Sequence, residues 1–226
     1  MSNKKVFSVS EALKFGFSKF IEHFLFFIKI IFAKFGISLL AMLSILGLFM
    51  LPIKIFENIS VPRFILSCIV CGGLLGFVYV FLELGAVRIA LDIYDKNSSK
   101  LSQLFPQLSK AWTAFLAFIL YVAICMVGLL FFIVPGIFFI VMFSLYEYVI
   151  IDQNKGAIES LRESYRLVSK HKMSVFILVC MLTLLYLVSG PLLIFMVMIG
   201  KLIYAFVYKR VKSSEQCPEA YAPYDM

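Results

Sequence analysis

Six apolar runs, nearly free of charged residues, follow one another along the chain. They occupy residues 35–51, 64–82, 111–134, 137–151, 173–189 and 192–208. A helix that crosses the hydrocarbon core of a bilayer needs about 20 apolar residues, and most of these runs approach that length. The fourth run is short, so we expect it to tilt or to extend into the preceding Pro135-Gly136. The pattern predicts an all-α membrane protein with six transmembrane helices.

A single lysine tests whether the sixth run spans. Lys201 at the centre of an inserted helix costs about 2.5–3.5 kcal/mol. The run also holds ten Leu, Ile, Phe and Val residues, which together favour insertion by about 3–6 kcal/mol. The balance favours a sixth span.

Basic residues are distributed very unevenly between the two sides of a six-span chain. All but two of the 21 Lys and Arg residues fall on the side of the termini, and only Lys54 and Arg63 fall on the other. Loops rich in Lys and Arg stay in the cytoplasm. We therefore expect both termini to be cytoplasmic.

Amphipathic segments precede the first and third pairs of runs. Ser8 and Glu11 form a Ser-x-x-Glu capping box, and behind it apolar residues recur at helical spacing. Residues 157–170 show a similar pattern. Helices of this kind lie in the headgroup plane of a membrane. Six basic side chains are the predicted contacts with anionic lipid headgroups: Lys14, Lys19, Arg162, Arg166, Lys170 and Lys172.

The two amphipathic segments also match each other at a constant offset of 148 residues. The matched pairs are Glu11/Glu159, Leu13/Leu161, Lys14/Arg162, Phe17/Tyr165 and His23/His171. A less regular third copy covers 101–112, with Pro106 in its first turn. These matches predict three repeats, each an interfacial amphipathic helix followed by a helical hairpin.

Several segments resemble a known family. They are LGAVRIALDIYD (84–95), LSQLF, GLLFFIVPGIFF (128–139), GAIESLRESYRLVSKHK (156–172) and YAFVYKR (204–210). In these segments the chain is similar to the bacterial YciC-like and glycerophosphodiester phosphodiesterase membrane-domain proteins. The resemblance implies a six-helix, multi-pass domain of the bacterial inner membrane, mostly of unknown function. In some members this domain precedes a phosphodiesterase domain, which these 226 residues do not contain, so that activity is not expected here.

Composition supports a membrane protein and excludes an ordinary soluble enzyme. Apolar residues make up 62% of the chain and charged residues 15%, against about 25% charged in a soluble domain. The net charge of +8 is scattered between apolar runs, which suits lipid headgroups better than nucleic acid. We expect a membrane domain over residues 1–212 and a disordered cytoplasmic tail over 213–226.

Four ionisable residues lie closest to the apolar runs and form the candidate intramembrane polar site: Glu83, Arg88, Glu147 and Lys201. Charged residues at such depth are candidates for function. Glu147 and Lys201 lie at comparable depth, so they either pair or extend separately to the headgroups. Pro135-Gly136 and Gly190-Pro191 are predicted to form the outer turns of two hairpins, or alternatively to interrupt helices at a transport site.

The remaining motifs favour structural roles. Cys68 and Cys71 form a Cys-x-x-Cys without further ligands, so neither a metal site nor a cofactor is expected. Gly72 and Gly76 suit close helix packing, within the chain or across a homo-oligomer. No nucleophile–base pair is apparent in the sequence, so no enzymatic activity is expected.

Two functional hypotheses follow. The first is a non-enzymatic protein that organises membranes or serves as a scaffold, with its interfacial helices on anionic lipid. The alternative is a small-solute or lipid transporter that uses the intramembrane charged residues. A continuous water-filled cavity that reaches Lys201 would favour transport, and a solid bundle would favour the scaffold.

Overall fold

The computed structural model describes residues 7–55, 61–96 and 108–216, and these are folded almost entirely as helix. The α-helices are α1 (Val9–Glu22), α2 (Phe24–Ile55), α3 (Val61–Lys96), α4 (Leu108–Phe131), α5 (Ile133–Met142), α6 (Tyr146–Gln153), α7 (Ala157–Ser169), α8 (Lys172–Ser189) and α9 (Leu193–Gln216). A single 3₁₀ turn, Gly190–Leu192, joins α8 to α9.

Five segments of the described chain are long and apolar enough to cross a membrane. They are Phe24–Leu46, Ile65–Lys96, Lys110–Phe131, Val134–Gln153 and Lys172–Ser189. The chain is therefore built as a multi-pass membrane protein. The predicted sixth span falls in α9, which is not among the five and which carries Lys201, Lys209 and Arg210.

Helix α9 is nonetheless the most deeply packed of the long helices. Most of its residues from Met198 to Val211 belong to the main apolar core. Helices α3 and α1 pack against it. At Gly16 of α1 an added side chain would overlap Ile203 and would lie 3.3 Å from the Ile199 carbonyl oxygen, so this glycine permits the close approach of α1 to α9.

Helices α1 and α7 start where the capping signal and the apolar spacing predict. Helix α1 begins after Ser8, whose backbone N–H donates to the Glu11 carboxylate at 3.4 Å. Its buried face is narrower than the predicted apolar stripe: Phe20 is buried, but Ile21 is 71% exposed. In α7, likewise, the apolar Ile158 is exposed, because the buried face of this helix is formed by Ser160, Leu161, Ser164, Leu167 and Val168.

One predicted hairpin turn is in a different place. Pro135 and Gly136 lie in the first turn of α5, and the chain reverses earlier, at extended Phe132. Gly136 is needed for packing, because a side chain there would collide with Leu129 of α4. Gly190 does lie at the end of α8, where its φ of +46° suits glycine, and Pro191 follows in the 3₁₀ turn.

Two further expectations need correction. Nothing in the described structure lies within 4 Å of a side chain built at Gly72, so this glycine mediates no close helix packing within the described chain. Gly76 meets only Phe115, at an ordinary 3.7 Å. Residues 213–216 continue α9 and are not disordered, and Glu215 there binds Arg166 and Lys170.

The predicted third repeat is only partly described. Residues 108–112 form the start of α4 and not a separate interfacial helix. The rest of the segment, with Pro106, and the tail beyond residue 216 lie outside the described residues.

Candidate functional site: an ion-pair network between the helices

Lys201 of α9 lies between two carboxylates on neighbouring helices. Its Nζ is 2.7 Å from Glu147 Oε2 on α6 and 3.0 Å from Glu83 Oε2 on α3. These side chains are 17%, 21% and 10% exposed, respectively. The Glu147–Lys201 contact is therefore present, and the amine does not extend alone to the headgroups.

A fourth charged residue extends the network. Lys34 of α2 places its Nζ 2.5 Å from the other Glu83 oxygen, Oε1. The four groups form a row in the order Lys34, Glu83, Lys201, Glu147, in which positive and negative charges alternate. Two lysines balance two glutamates, so the row has no net formal charge. Such pairing is what makes buried charges tolerable in an apolar environment.

The bend between α5 and α6 positions Glu147. The helix opens at residues 143–145, and Ser164 of α7 satisfies backbone groups that the opening frees. The Ser164 hydroxyl donates to the Met142 carbonyl at 3.0 Å and accepts from the Leu145 N–H at 3.2 Å. Irregular backbone within a membrane-spanning segment needs such internal partners. Glu147 follows directly, in the first turn of α6.

Tyrosines surround the network. The Tyr148 hydroxyl donates to the backbone carbonyl of Lys201 at 2.9 Å. Tyr121 and Tyr146 stack with ring centroids 5.5 Å apart. The ring of Tyr186 lies against Gly200, where any side chain would collide with its hydroxyl. The charged row thus lies among polar aromatic groups.

A cavity of about 300 Å³ opens at this network. Its polar lining combines Glu83, Glu147 and Lys201 with Ser144 and six tyrosines: Tyr79, Tyr121, Tyr146, Tyr148, Tyr186 and Tyr204. This volume is at the lower end of the range typical of small-molecule sites, about 300–1,000 Å³.

A second, apolar groove of about 590 Å³ lies on the other side of Glu83. Side chains of α2, α3 and α9 line it: Ile31, Phe32, Lys34, Phe35, Ser38, Tyr79, Leu82, Glu83, Leu193, Ile194, Val197 and Met198. Tyr79, Glu83 and Val197 line both spaces, so these three side chains form a shared wall.

A second layer of ion pairs joins the same three helices nearer their C-terminal ends. Lys209 of α9 lies 2.7 Å from Asp95 of α3 and 2.8 Å from Asp152 of α6. Asp152 also pairs with Lys212 and accepts a hydrogen bond from the Tyr208 hydroxyl at 2.9 Å. In both layers, therefore, a lysine of α9 lies between acidic residues of α3 and α6.

Arg88 is the predicted polar residue that the network does not include. It is half-buried on α3, and no ion pair joins it to another residue of the described chain. Sequence reasoning missed Lys34, which it placed among the basic residues of the cytoplasmic side. The available signal was its position directly before the apolar run 35–51.

The six predicted headgroup contacts divide into two groups. Lys19, Arg166 and Lys170 pair with acidic residues of the chain itself. The other three are exposed on the surface: Lys14, Arg162 and Lys172. Only these three are available to lipid without breaking an ion pair seen in the described part of the chain.

Among the described residues, no group of three or more His, Cys, Asp or Glu side chains is placed to hold a metal ion.

Comparison with known proteins identifies no relative. No family model, curated protein or solved structure matches the chain. The resemblance to YciC-like and glycerophosphodiester phosphodiesterase membrane-domain proteins therefore stays a prediction.

Proposed function

We propose that the protein is a non-enzymatic membrane transporter or permease, with the cavity at Lys201 as its solute-binding site. The observation that carries this proposal is the cavity itself, which reaches Lys201, Glu83 and Glu147. Of the helices that line it, all but α9 belong to segments long and apolar enough to cross a membrane. A solid bundle would instead have favoured a scaffold. Charged groups that line a cavity at membrane depth are characteristic of substrate and ion pathways.

The proposal includes six spans, with both termini in the cytoplasm of a bacterial cell and the chain in the inner membrane. The basic residues support this orientation, because all but two lie on the side of the termini. The ion pairs of α9 support its role as the sixth span. Lys201 and Lys209 each have two carboxylate partners, which lowers the cost of burying their charges.

Three repeats are part of the same proposal. Helices α1 and α7 start 148 residues apart, and so do α2 and α8. The buried faces also correspond at this offset: Ala12 matches Ser160, and Gly16 matches Ser164. Helix α1 packs against α9, and α7 packs against α6. Each of these proposed interfacial helices therefore contacts a hairpin other than the one that follows it in its own repeat.

Cysteine accessibility tests the cavity. Val179 and Ile177 lie two residues apart on α8, but Val179 lines the cavity and Ile177 is 48% exposed on the outer surface. In a background without the five native cysteines, Val179→Cys is expected to react with a charged, membrane-impermeant thiol reagent. Ile177→Cys, at the same depth but facing lipid, is the matched control.

The proposal predicts that Val179→Cys reacts faster by about tenfold or more, since burial in lipid excludes a charged reagent. Equal, slow reaction at both positions in folded protein would show that the cavity is closed to water and would contradict the proposal.

A scaffold role remains the second candidate, and exposed basic residues favour it. Lys14, Arg162 and Lys172 are exposed and have no ion-pair partner within the described chain. They lie on the predicted cytoplasmic side, where anionic lipid contributes about 1 kcal/mol per basic residue. Replacing all three with Gln is expected to weaken association with phosphatidylglycerol relative to phosphatidylcholine. Unchanged lipid association would argue against this second role.

A further inference from the structure

The polar cavity and the apolar groove are adjacent and chemically opposite. They share the wall of Tyr79, Glu83 and Val197. On one side lie charges and tyrosine hydroxyls, and on the other most of the lining side chains are apolar. A ligand that uses both spaces needs a polar head and an apolar chain.

The groove opens toward the surrounding lipid. Phe32 and Phe35 on its α2 side are 72% and 67% exposed, and Ile194 on its α9 side is 55% exposed. Phe32 and Phe35 belong to a segment long and apolar enough to cross a membrane. All three side chains lie on the outer surface, so a lipid chain can enter sideways. The groove residues of α9 precede Lys201 by three to eight positions, which corresponds to about 4–12 Å along the helix. The groove therefore extends from the charged level along the apolar segments.

Lys34 lies where the two parts of such a ligand would join. It lines the groove, and its amine contacts Glu83 in the shared wall. It also precedes the uncharged run 35–51 directly, within the candidate span Phe24–Leu46. A primary amine there suits the phosphate of a headgroup.

The net charge of the ion-pair network determines which kind of lipid headgroup fits. The row from Lys34 to Glu147 is already balanced, so a head with a net charge would leave an unpaired charge among apolar helices, which is costly. A zwitterionic head adds none. Its ammonium fits the cavity, which is lined by the Glu147 carboxylate and by tyrosine rings, a residue type that makes cation–π contacts.

We infer that the cavity and groove together bind a zwitterionic phospholipid or lysophospholipid from the bilayer. The phosphate lies at Lys34, the ammonium lies in the tyrosine-lined cavity, and an acyl chain fills the groove between α2 and α9. This inference rests on the proposed transport role and specifies its substrate class as a membrane lipid.

Photo-crosslinking of the purified full chain tests this assignment. The probe is lysophosphatidylethanolamine with a diazirine in its acyl chain, and labelled peptides are mapped by mass spectrometry. Labelling is expected on residues 31–38 and 193–198, which line the groove. Labelling spread evenly over all lipid-facing helices would overturn the inference.

A matched pair of variants tests the groove. Ser38→Trp fills the groove, whereas Leu39→Trp places the same side chain at a neighbouring exposed position outside it. Groove labelling is expected to fall about tenfold in Ser38→Trp, the equivalent of about 1.4 kcal/mol, and to stay unchanged in Leu39→Trp. Equal labelling of the two variants would overturn the acyl-chain site.

Headgroup competitors test the polar part. Unlabelled lysophosphatidylethanolamine is expected to compete about tenfold better than lysophosphatidylglycerol, whose head carries a net charge. Lys34→Gln is expected to weaken competition by both lipids, because both carry the phosphate that Lys34 contacts. Glycerophosphoethanolamine, a free head without a chain, is expected to compete weakly. Equal competition by the anionic lipid, or strong competition by the free head, would overturn the assignment.

Failure of this inference is distinguishable from failure of the proposed function. If the groove takes no lipid while Val179→Cys still reacts with the thiol reagent, the cavity serves a different, water-soluble substrate. If Val179→Cys does not react, the transport role itself fails.

Discussion

Lys201 is the residue on which the polar centre depends. It holds two carboxylates, Glu83 and Glu147, within 3.0 Å of one amine. Lys34 contacts Glu83, but Glu147 has no other basic partner in the described chain. Removal of one member of a buried ion pair typically costs about 3–5 kcal/mol, because the other charge stays buried without a partner.

The Lys201→Met variant is therefore expected to lower the free energy of unfolding by about 3–5 kcal/mol, measured by denaturant titration in detergent. Glu147→Gln alone is expected to cost less, since Lys201 keeps Glu83 as its partner. The double variant restores the charge balance, so it is expected to be more stable than Lys201→Met alone. A double variant as unstable as the sum of the two single changes would contradict this account.

At the scale of single residues, the sequence indicated the Glu147–Lys201 pair but not the complete row of four charges. Glu147 and Lys201 could be matched because both lie in apolar runs at similar distances from the run ends. Glu83 was recognised as an intramembrane charge, but its two partners depend on which side of α3 faces α2 and α9. The orientation of α3 about its axis is set by side-chain packing between helices, which the periodic pattern of apolar residues does not specify.

Among the elements, the interrupted helix α5–α6 depends most on a single side chain. Ser164 supplies hydrogen bonds to Met142 and Leu145 across the bend. Ser160 is equally buried on the same face of α7, but its hydroxyl only donates to the Ala157 carbonyl of its own helix. Ser164 therefore bridges two elements of the fold, whereas Ser160 bonds only within its own helix, so comparing them isolates the effect of the bridge.

We expect Ser164→Ala to reduce thermal stability in detergent by the equivalent of about 1–3 kcal/mol, since it leaves a buried N–H without its partner. Ser160→Ala is expected to have little effect, because a hydroxyl that bonds within its own helix turn adds little stability. Equal melting temperatures for the two variants would show that the bend does not need the bridge.

The hairpin of α4 and α5 depends on glycine for close approach. An added side chain at Gly136 would overlap Leu129 and lie 3.0 Å from its backbone nitrogen. At Gly72 of α3 the same addition meets nothing within 4 Å among the described residues. Both glycines are helical, so they differ in space and not in backbone conformation.

Gly136→Ala is accordingly expected to destabilise the protein by about 1–3 kcal/mol through overpacking. Gly72→Ala is expected to be neutral or to stabilise by up to about 1 kcal/mol, because alanine favours helix. Thermal unfolding of the two variants in one detergent compares them directly. A Gly136→Ala protein as stable as the parent would mean that α4 and α5 are more loosely packed.

Helix boundaries were predictable where an apolar periodicity extends over a long segment. They were missed where packing between helices, and not a local sequence signal, sets the boundary. The boundary at His23 and the one at His171 follow from the matched amphipathic segments, and both are found as helix junctions. The bend at residues 143–145 contains neither Gly nor Pro, so no local signal announces it. Pro135-Gly136 did give a signal for a turn, but proline is also compatible with the first turn of a helix, which is where it lies.

For the whole molecule, the decisive question is the side of the membrane on which the chain ends. Within the described chain, five segments qualify as spans on length and composition, and an odd number would place the termini on opposite sides. Helix α9 fails to qualify as an isolated segment because of its basic residues. Within the fold, however, its two lysines at the ion-pair layers are paired, and most of the helix is packed in the core.

A sixth span therefore predicts that both ends of the chain are cytoplasmic. A green fluorescent protein fused after Met226 is expected to fluoresce, and alkaline phosphatase at the same position is expected to be inactive, because the enzyme folds only outside the cytoplasm. A phosphatase inserted between α2 and α3, beside Lys54 and Arg63, is the control and is expected to be active. Since the distribution of Lys and Arg sets orientation, an active C-terminal phosphatase would mean that α9 packs among the spans without crossing. It would also remove the basis for placing Lys201 and the Lys209 layer along a six-span transport pathway.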